Sequence, residues 1–125
     1  MVKLVFCINR RPDVSAEEFH RYWLEDHGPL VRSLQEVLGI RRYVQSHRIE
    51  TPINDALQAS RSAGGPYDGV AELWWDSLDA LMAVLSTPEG QAASATLLED
   101  ESTFIDFTTA SIFMTEEHEI IALDA

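Results

Sequence analysis

No lysine or arginine occurs after Arg61; from Ser62 to Ala125 the formally charged side chains are all Asp and Glu. The net charge of -12 leaves too few cations to displace counterions from a phosphate backbone, which excludes nucleic-acid binding of the usual electrostatic kind. An acidic half beside a mixed half suits either a solvated acidic face or complementary surfaces meeting in an oligomer. Cysteine is as scarce. Cys7 stands alone in an apolar run, so there is no disulfide framework, no CxxC pair and no thiolate metal site, and a reducing compartment fits. No run approaches the roughly 18 apolar residues of a membrane span. The first residues, Met1 to Phe6, lack the charged and long apolar regions of a secretory signal, and a soluble, cytoplasmic protein is expected. GxGxxG, GxxxxGK[ST] and GxSxG are missing, and Gly64-Gly65 is too short for a phosphate loop.

What is present fits one domain, residues 1–125, long enough to bury a core without staples. Val2 to Ile8 alternates apolar side chains on both faces, the pattern of a strand covered from both sides. Ser15-Ala16-Glu17-Glu18 reads as a capping box. It opens a helix whose apolar stripe runs through Phe19, Trp23, Leu30, Leu34 and Leu38, widened by Tyr22, Val31 and Val37, with Gly39 as C-cap. Pro29 predicts a kink or break between His27 and Leu30. Further strands are expected over 40–49, 68–75 and from Ile112 onward. Thr51 to Pro66 reads as an insertion, a lid or pocket wall, and helices follow from Ser77 and from Thr87-Pro88 to about Asp100. The order β-α-β-(insert)-β-α-α-β is α+β: a ferredoxin-like βαββαβ protomer with an additional helix. Helices cover one face of such a sheet, and a second copy would cover the other, giving a homodimer.

The chemistry-bearing residues concentrate between Glu18 and Leu30. His27 is the candidate acid or base, because imidazole titrates near neutral pH. A break at Pro29 would also leave the amides of Leu30, Val31 and Arg32 free to hold an oxyanion. The competing reading is a kinked helix whose histidine satisfies a freed carbonyl. His20 lies seven residues earlier, roughly 10 Å along the axis. The two histidines can line one pocket but not share a metal ion, whose helical ligands sit three or four residues apart. Tyr22 and Trp23 offer the amphipathic surface that lines aromatic pockets. Tyr43, Gln45 and His47 share one strand face opposite the helix, and Trp75 is core or pocket floor. His118, in Glu116-Glu117-His118-Glu119, reads as solvated. Arg10 and Arg11 suit an anionic substrate or pairing with the acidic half.

The run Asn9-Arg10-Arg11-Pro12-Asp13, then Ser15-x-x-Glu18-Phe19-His20-x-Tyr22-Trp23 and His27-x-Pro29-Leu30, resembles the EthD family, named for ethyl tert-butyl ether degradation. Tyr67-Asp68-Gly69-x-Ala71-Glu72-Leu73-Trp74 adds to the likeness, which covers nearly the whole chain. The resemblance implies a dimeric α/β barrel of ferredoxin-like protomers, with a pocket between sheet and helices near His27, Tyr22 and His47. The activities it brings range over lyases and cyclases, cofactor-free oxidoreductases and monooxygenases, haem proteins and non-catalytic accessory proteins of oxidative degradation. The leading expectation is cofactor-independent dehydration, decarboxylation or cyclisation of an aromatic or polyketide-like substrate. His27 would be the catalytic group, and Tyr22, Trp23, His20, Tyr43, His47 and Trp75 would bind a small apolar or aromatic ligand, with no metal.

Overall fold

Val2 to Ile8 becomes β1, and its two-sided apolar pattern places it inside the sheet. The computed structural model describes residues 1–124. Four strands, β1 (Val2–Ile8), β2 (Arg42–His47), β3 (Gly69–Trp75) and β4 (Ser111–Glu116), pair antiparallel in the order β2-β3-β1-β4. This is the expected ferredoxin-like α+β arrangement, with β3 inserted between β1 and β2. One face meets the helices and carries Leu4, Phe6 and Ile8 of β1 with Gly69, Ala71 and Leu73 of β3, and with Tyr43, Gln45 and His47 of β2 in register beside them. The opposite face is mixed rather than apolar. Val5, Val44 and Phe113 lie across it, but Glu72 pairs there with Lys3 at 2.7 Å, and Arg42 stacks 4.7 Å from the Trp74 ring centroid.

Among the described residues the α-helices are α1 (Ala16–Tyr22), α2 (Gly28–Ser33), α3 (Gln35–Leu38), α4 (Pro52–Ser60) within the insertion, α5 (Leu78–Leu85) and α6 (Pro88–Glu101), with a short 3-10 turn at Phe107–Thr109. Ser15 caps α1 by accepting from the Glu18 amide, but the Glu18 carboxylate turns to Arg21 instead of closing the box. Two apolar clusters form the core. Phe6, Ile8, Phe19, Trp23 and Phe104 make one; Val31, Leu38, Ile40, Trp75 and Leu81 make the other. No helix among the described residues is long and apolar enough to cross a membrane.

The expected break at Pro29 is absent. Trp23–His27 forms a π turn that runs straight into α2, closed by the Gly28 amide donating to the Trp23 carbonyl five residues back. Gly28 stays helical at φ -54, ψ -53, since a glycine has no Cβ to clash with the following proline ring. The wider turn also sets the phase. Side chains four apart drift by roughly 40° per step around an α-helix, and a π turn absorbs much of that drift. Phe19, Trp23, His27 and Val31 consequently all remain buried, while Leu30, assigned to the stripe on α spacing, is only half-buried.

The charge asymmetry is answered in part within the chain. Because β3 lies between β1 and β2, basic residues of the first half meet acids of the second: Lys3 with Glu72, Arg41 with Asp76 at 3.0 Å, and Arg48 with the buried Asp68 at 3.2 Å. Arg11 pairs with Asp13 of its own turn and donates to the Ser102 carbonyl, so neither partner is a substrate.

Trp23 needs Gly69. A Cβ at residue 69 would stand 2.4 Å from the indole and 2.8 Å from the Ser46 carbonyl. Gly69→Ala should therefore lower stability by about 1–3 kcal/mol through overpacking, whereas Gly64→Ala, with nothing within 4 Å, should change it little; urea unfolding of both variants checks this.

Candidate functional site

The inward phase set by the π turn puts His27 beneath α6, 4% exposed. Its Nδ1 lies 2.7 Å from Asp100 Oδ2, and the Tyr22 hydroxyl donates to Asp100 Oδ1. Two donors converge on one carboxyl group, so His27 holds its proton on Nδ1 and leaves the Nε2 lone pair free. Nε2 faces Glu101, 3.9 Å from its Oε2, beyond hydrogen-bond reach. Phe104 packs edge-on to the imidazole, with ring centroids 5.2 Å apart.

Burial depresses the basicity of His27, opposed only in part by Asp100, so the ring is neutral and basic at Nε2 in the resting protein. Glu101 moves the other way: burial first, and then the neighbouring Asp100, push its carboxyl up to about 7. A neutral base thus faces a carboxyl that still holds its proton in part at neutral pH, a difference in environment of the kind that assigns acid and base roles. Between them lies a cavity of about 30 Å³, walled by His27, Glu101, Trp23, Val31, Tyr43 and further apolar side chains, with room for roughly one or two waters.

Outside it, an open cleft of about 540 Å³ separates the π turn, α2 and α3 from β2. Leu24, Pro29, Val31 and Ile40 supply apolar wall; Arg32, Gln35, Tyr43 and Gln45 supply polar groups. Val31 and Tyr43 border both spaces. Tyr43 Oη accepts from Gln45 Nε2 at 2.8 Å, which leaves its own hydrogen to be donated. Burial pushes its phenol up to about 12, so it remains protonated.

A second histidine system lies one turn away. Gln45 donates to the Trp23 carbonyl at 2.7 Å as well as to Tyr43, and its Oε1 accepts from His47 Nε2 at 2.7 Å. His47 Nδ1 must then accept, and His20 Nδ1 donates to it at 2.8 Å. Burial lowers the basicity of both rings, in keeping with this neutral pairing. The His47 ring stacks on Trp23 with centroids 4.3 Å apart.

Several expectations change with this geometry. His20 and His27 line no common pocket: His20 belongs to the Gln45 network and borders neither cavity nor cleft. Tyr22 faces Asp100 rather than a ligand. Trp75 is not a pocket floor; it sits in the second core cluster and donates to the Leu38 carbonyl. His47 supports Gln45 and is absent from both pocket walls. Trp23 and Tyr43 do border the cavity. The insertion walls neither space and lines only a polar groove of its own beside Arg48, and His118 is exposed as expected. The continuous helix gives no free amides at Leu30 to Arg32 for an oxyanion site. Sequence reasoning missed Asp100 and Glu101. Their one local signal is Glu99-Asp100-Glu101 at the C-terminal end of α6, where the helix dipole disfavours negative charge.

The strand order and the helix layer define a ferredoxin-like α+β protomer. The EthD domain profile matches residues 11–108, and the chain belongs to the EthD family. Dehydratase ustZ of Ustilaginoidea virens is 26% identical over 91 residues; the match covers 67% of this chain and 65% of that protein, so the chain spans just under two thirds of the relative. An ethyl tert-butyl ether degradation family protein of Bacillus halodurans superposes with a TM-score of 0.62 at 20% identity, covering 94% of this chain and 99% of that one. A dimeric protein of ferredoxin-like fold from Bacteroides fragilis gives 0.57 at 17% identity, over 93% and 95% of the two chains.

The buried carboxyl has a thermodynamic signature. Glu101 keeps its proton in the folded chain to about pH 7 but loses it near 4.5 when unfolded, so its contribution to stability falls as pH rises through that window. Glu101→Gln should gain up to about 3 kcal/mol relative to the parent at about pH 8 over about pH 4.5, as read by urea unfolding at the two pH values. His27 acts oppositely: its depressed basicity costs stability as pH falls below about 6.5.

Proposed function

We propose that the protein is a homodimeric enzyme that binds a small apolar or aromatic, oxygenated molecule in the cleft and carries out cofactor-independent acid–base chemistry on it. The observation that carries this reading is His27 Nε2, an unpaired lone pair opening on a cavity, on a ring whose other nitrogen is anchored by Asp100. Such anchoring fixes tautomer and orientation, and it stabilises the imidazolium that forms when Nε2 takes a proton. Tyr43, still protonated and bordering both cleft and cavity, is placed to donate to a developing enolate or phenolate oxygen. Tyr22 contributes through Asp100 and His47 through Gln45, so both act as positioning residues. The weak relationship to a dehydratase agrees with a lyase.

The dimer rests on β4, where Ile112, Phe113 and Met114 are 57%, 52% and 37% exposed. These side chains leave both faces of an edge strand apolar and exposed, Phe113 beside Val5 on the outer face and Ile112 and Met114 on the helix side, an edge that a second copy would cover, and a structural relative is described as dimeric. A cytoplasmic setting agrees with the lone reduced Cys7.

One observation favours a non-catalytic reading, as an accessory binding protein of an oxidative pathway. The space at Nε2 is small, and a ligand in the cleft reaches it only if Val31 or Tyr43 shifts. The two readings separate on His27→Ala. For an enzyme, turnover should fall by about 100-fold or more while affinity for the co-purified ligand persists. Unchanged turnover in His27→Ala would overturn the acid–base role of His27, and a ligand bound by the parent protein and released unaltered would leave the accessory reading. Asp100→Asn should lower turnover and shift the basic group's pKa in the pH–rate profile further down. Native mass spectrometry of the purified protein should report a dimer and any ligand it carries.

A further inference from the structure

We infer that Glu101 is the acid partner of His27, and that the pair eliminates water from a β-hydroxy carbonyl substrate. This rests on the reading of His27 as a base and adds to it a second catalytic group and a reaction class. Glu101 Oε2 and His27 Nε2 stand 3.9 Å apart across one cavity: too far to hydrogen-bond to each other, near enough that adjacent atoms of one substrate contact both. Among the described residues no basic side chain pairs with Glu101; Arg11, the nearest along the fold, is committed to Asp13 and the Ser102 carbonyl. The groups that face Glu101 are His27 from the π turn and Tyr43 from β2, with Asp100 beside it on α6. All of them favour its neutral, proton-donating form over a carboxylate, since none is a cation at rest.

The cavity limits what can leave. With a volume of about 30 Å³ it accommodates a departing water but not a larger group. A substrate body lying in the cleft would present its reacting edge past Val31 and Tyr43. His27 Nε2 takes the proton from the carbon next to the carbonyl, whose developing enolate oxygen accepts from Tyr43. The electron pair of that C–H bond forms the carbon–carbon double bond. The bond from the β-carbon to its hydroxyl breaks, and the hydroxyl takes the Glu101 proton and leaves as water. His27 then carries the proton taken from carbon, while the proton of Glu101 has left in the water; transfer from Nε2 to Oε2 through a water bridging the 3.9 Å gap restores the starting state. No oxidant, reductant or metal enters the balance: the substrate gives up one C–H proton and one hydroxyl, and the water carries away the proton that Glu101 supplied.

Two measurements decide the matter. Carbon-13 NMR of the labelled glutamate side chains, followed across pH, should show one carboxyl titrating near neutrality in the free protein, absent from Glu101→Gln, and its removal should lower the pKa of His27. A Glu101 carboxyl ionised at about pH 5 would overturn the acid role whatever the activity. The second uses a β-hydroxytetralone, whose loss of water yields naphthol and is read by fluorescence. The parent should form naphthol; Glu101→Gln should lose about 100-fold or more in kcat with little change in KM, and also lose the basic limb of the pH profile. Turnover unaffected in Glu101→Gln but abolished in His27→Ala would overturn Glu101 while leaving His27 as base. Naphthol formed at equal rates by both variants and the parent would overturn both assignments. Failure of the parent to form naphthol would overturn the assignment to dehydration.

Discussion

The hydrogen bond from the Gly28 amide to the Trp23 carbonyl holds the site together. It closes a π turn instead of an α turn, and π turns of this kind recur at functional positions because they re-aim side chains that regular spacing would turn away. Here the re-aimed side chain is His27. The same carbonyl receives a second donor from Gln45 of β2, so the widened turn is tied to the sheet as well as to its own helix. From that one oxygen, the Gln45 side chain leads outward to His47 and His20 and sideways to Tyr43, while the helix leads inward to His27. The two histidine systems share no hydrogen bond to each other, yet both depend on the position of Trp23. Gly69 beneath the indole is what lets Trp23 lie that low.

Electrostatics divides the site from the rest of the surface. On the outer sheet face and in the strand connections, opposite charges of the two halves of the chain pair off: Lys3 with Glu72, Arg41 with Asp76, Arg48 with Asp68. The acids at the end of α6 are left out of that pairing and are answered by an imidazole and a phenol instead. An arginine near Glu101 would have turned it into an ordinary ionised carboxylate. With no cation beside it, burial and Asp100 push the carboxyl up to about 7, so that a proton is still there to be given up near neutrality.

Strand periodicity carried most of the fold, since a period of two is insensitive to small errors: Tyr43, Gln45 and His47 share a face in the sequence and in the sheet. His27 stood out by residue type, as an imidazole beside Gly28-Pro29, and the structure buries it on the helix face shared by Phe19, Trp23 and Val31. Pro29 misled because the rule for the residue before proline rests on a clash that involves Cβ, which Gly28 lacks. Leu30 was placed on the stripe by α spacing, and the π turn gave its position to Val31. Trp75 and His20 were assigned to a pocket by residue type, and type does not tell a wall from a core. Asp100 lay beyond reach altogether, because its contact with His27 spans 73 residues and no local pattern marks it beyond an acidic helix end.

Asp100 and Glu101 are consecutive residues of the last turn of α6, and they meet opposite nitrogens of one ring. Anchor and acid are thus separated by a single peptide unit. Neither can be repositioned alone: the rotational setting of one helix end decides which carboxyl grips the imidazole and which is held back across the gap. The helix acts as a vernier: a slip of one residue would put Glu99 and Asp100, or Glu101 and Ser102, in the places of anchor and acid.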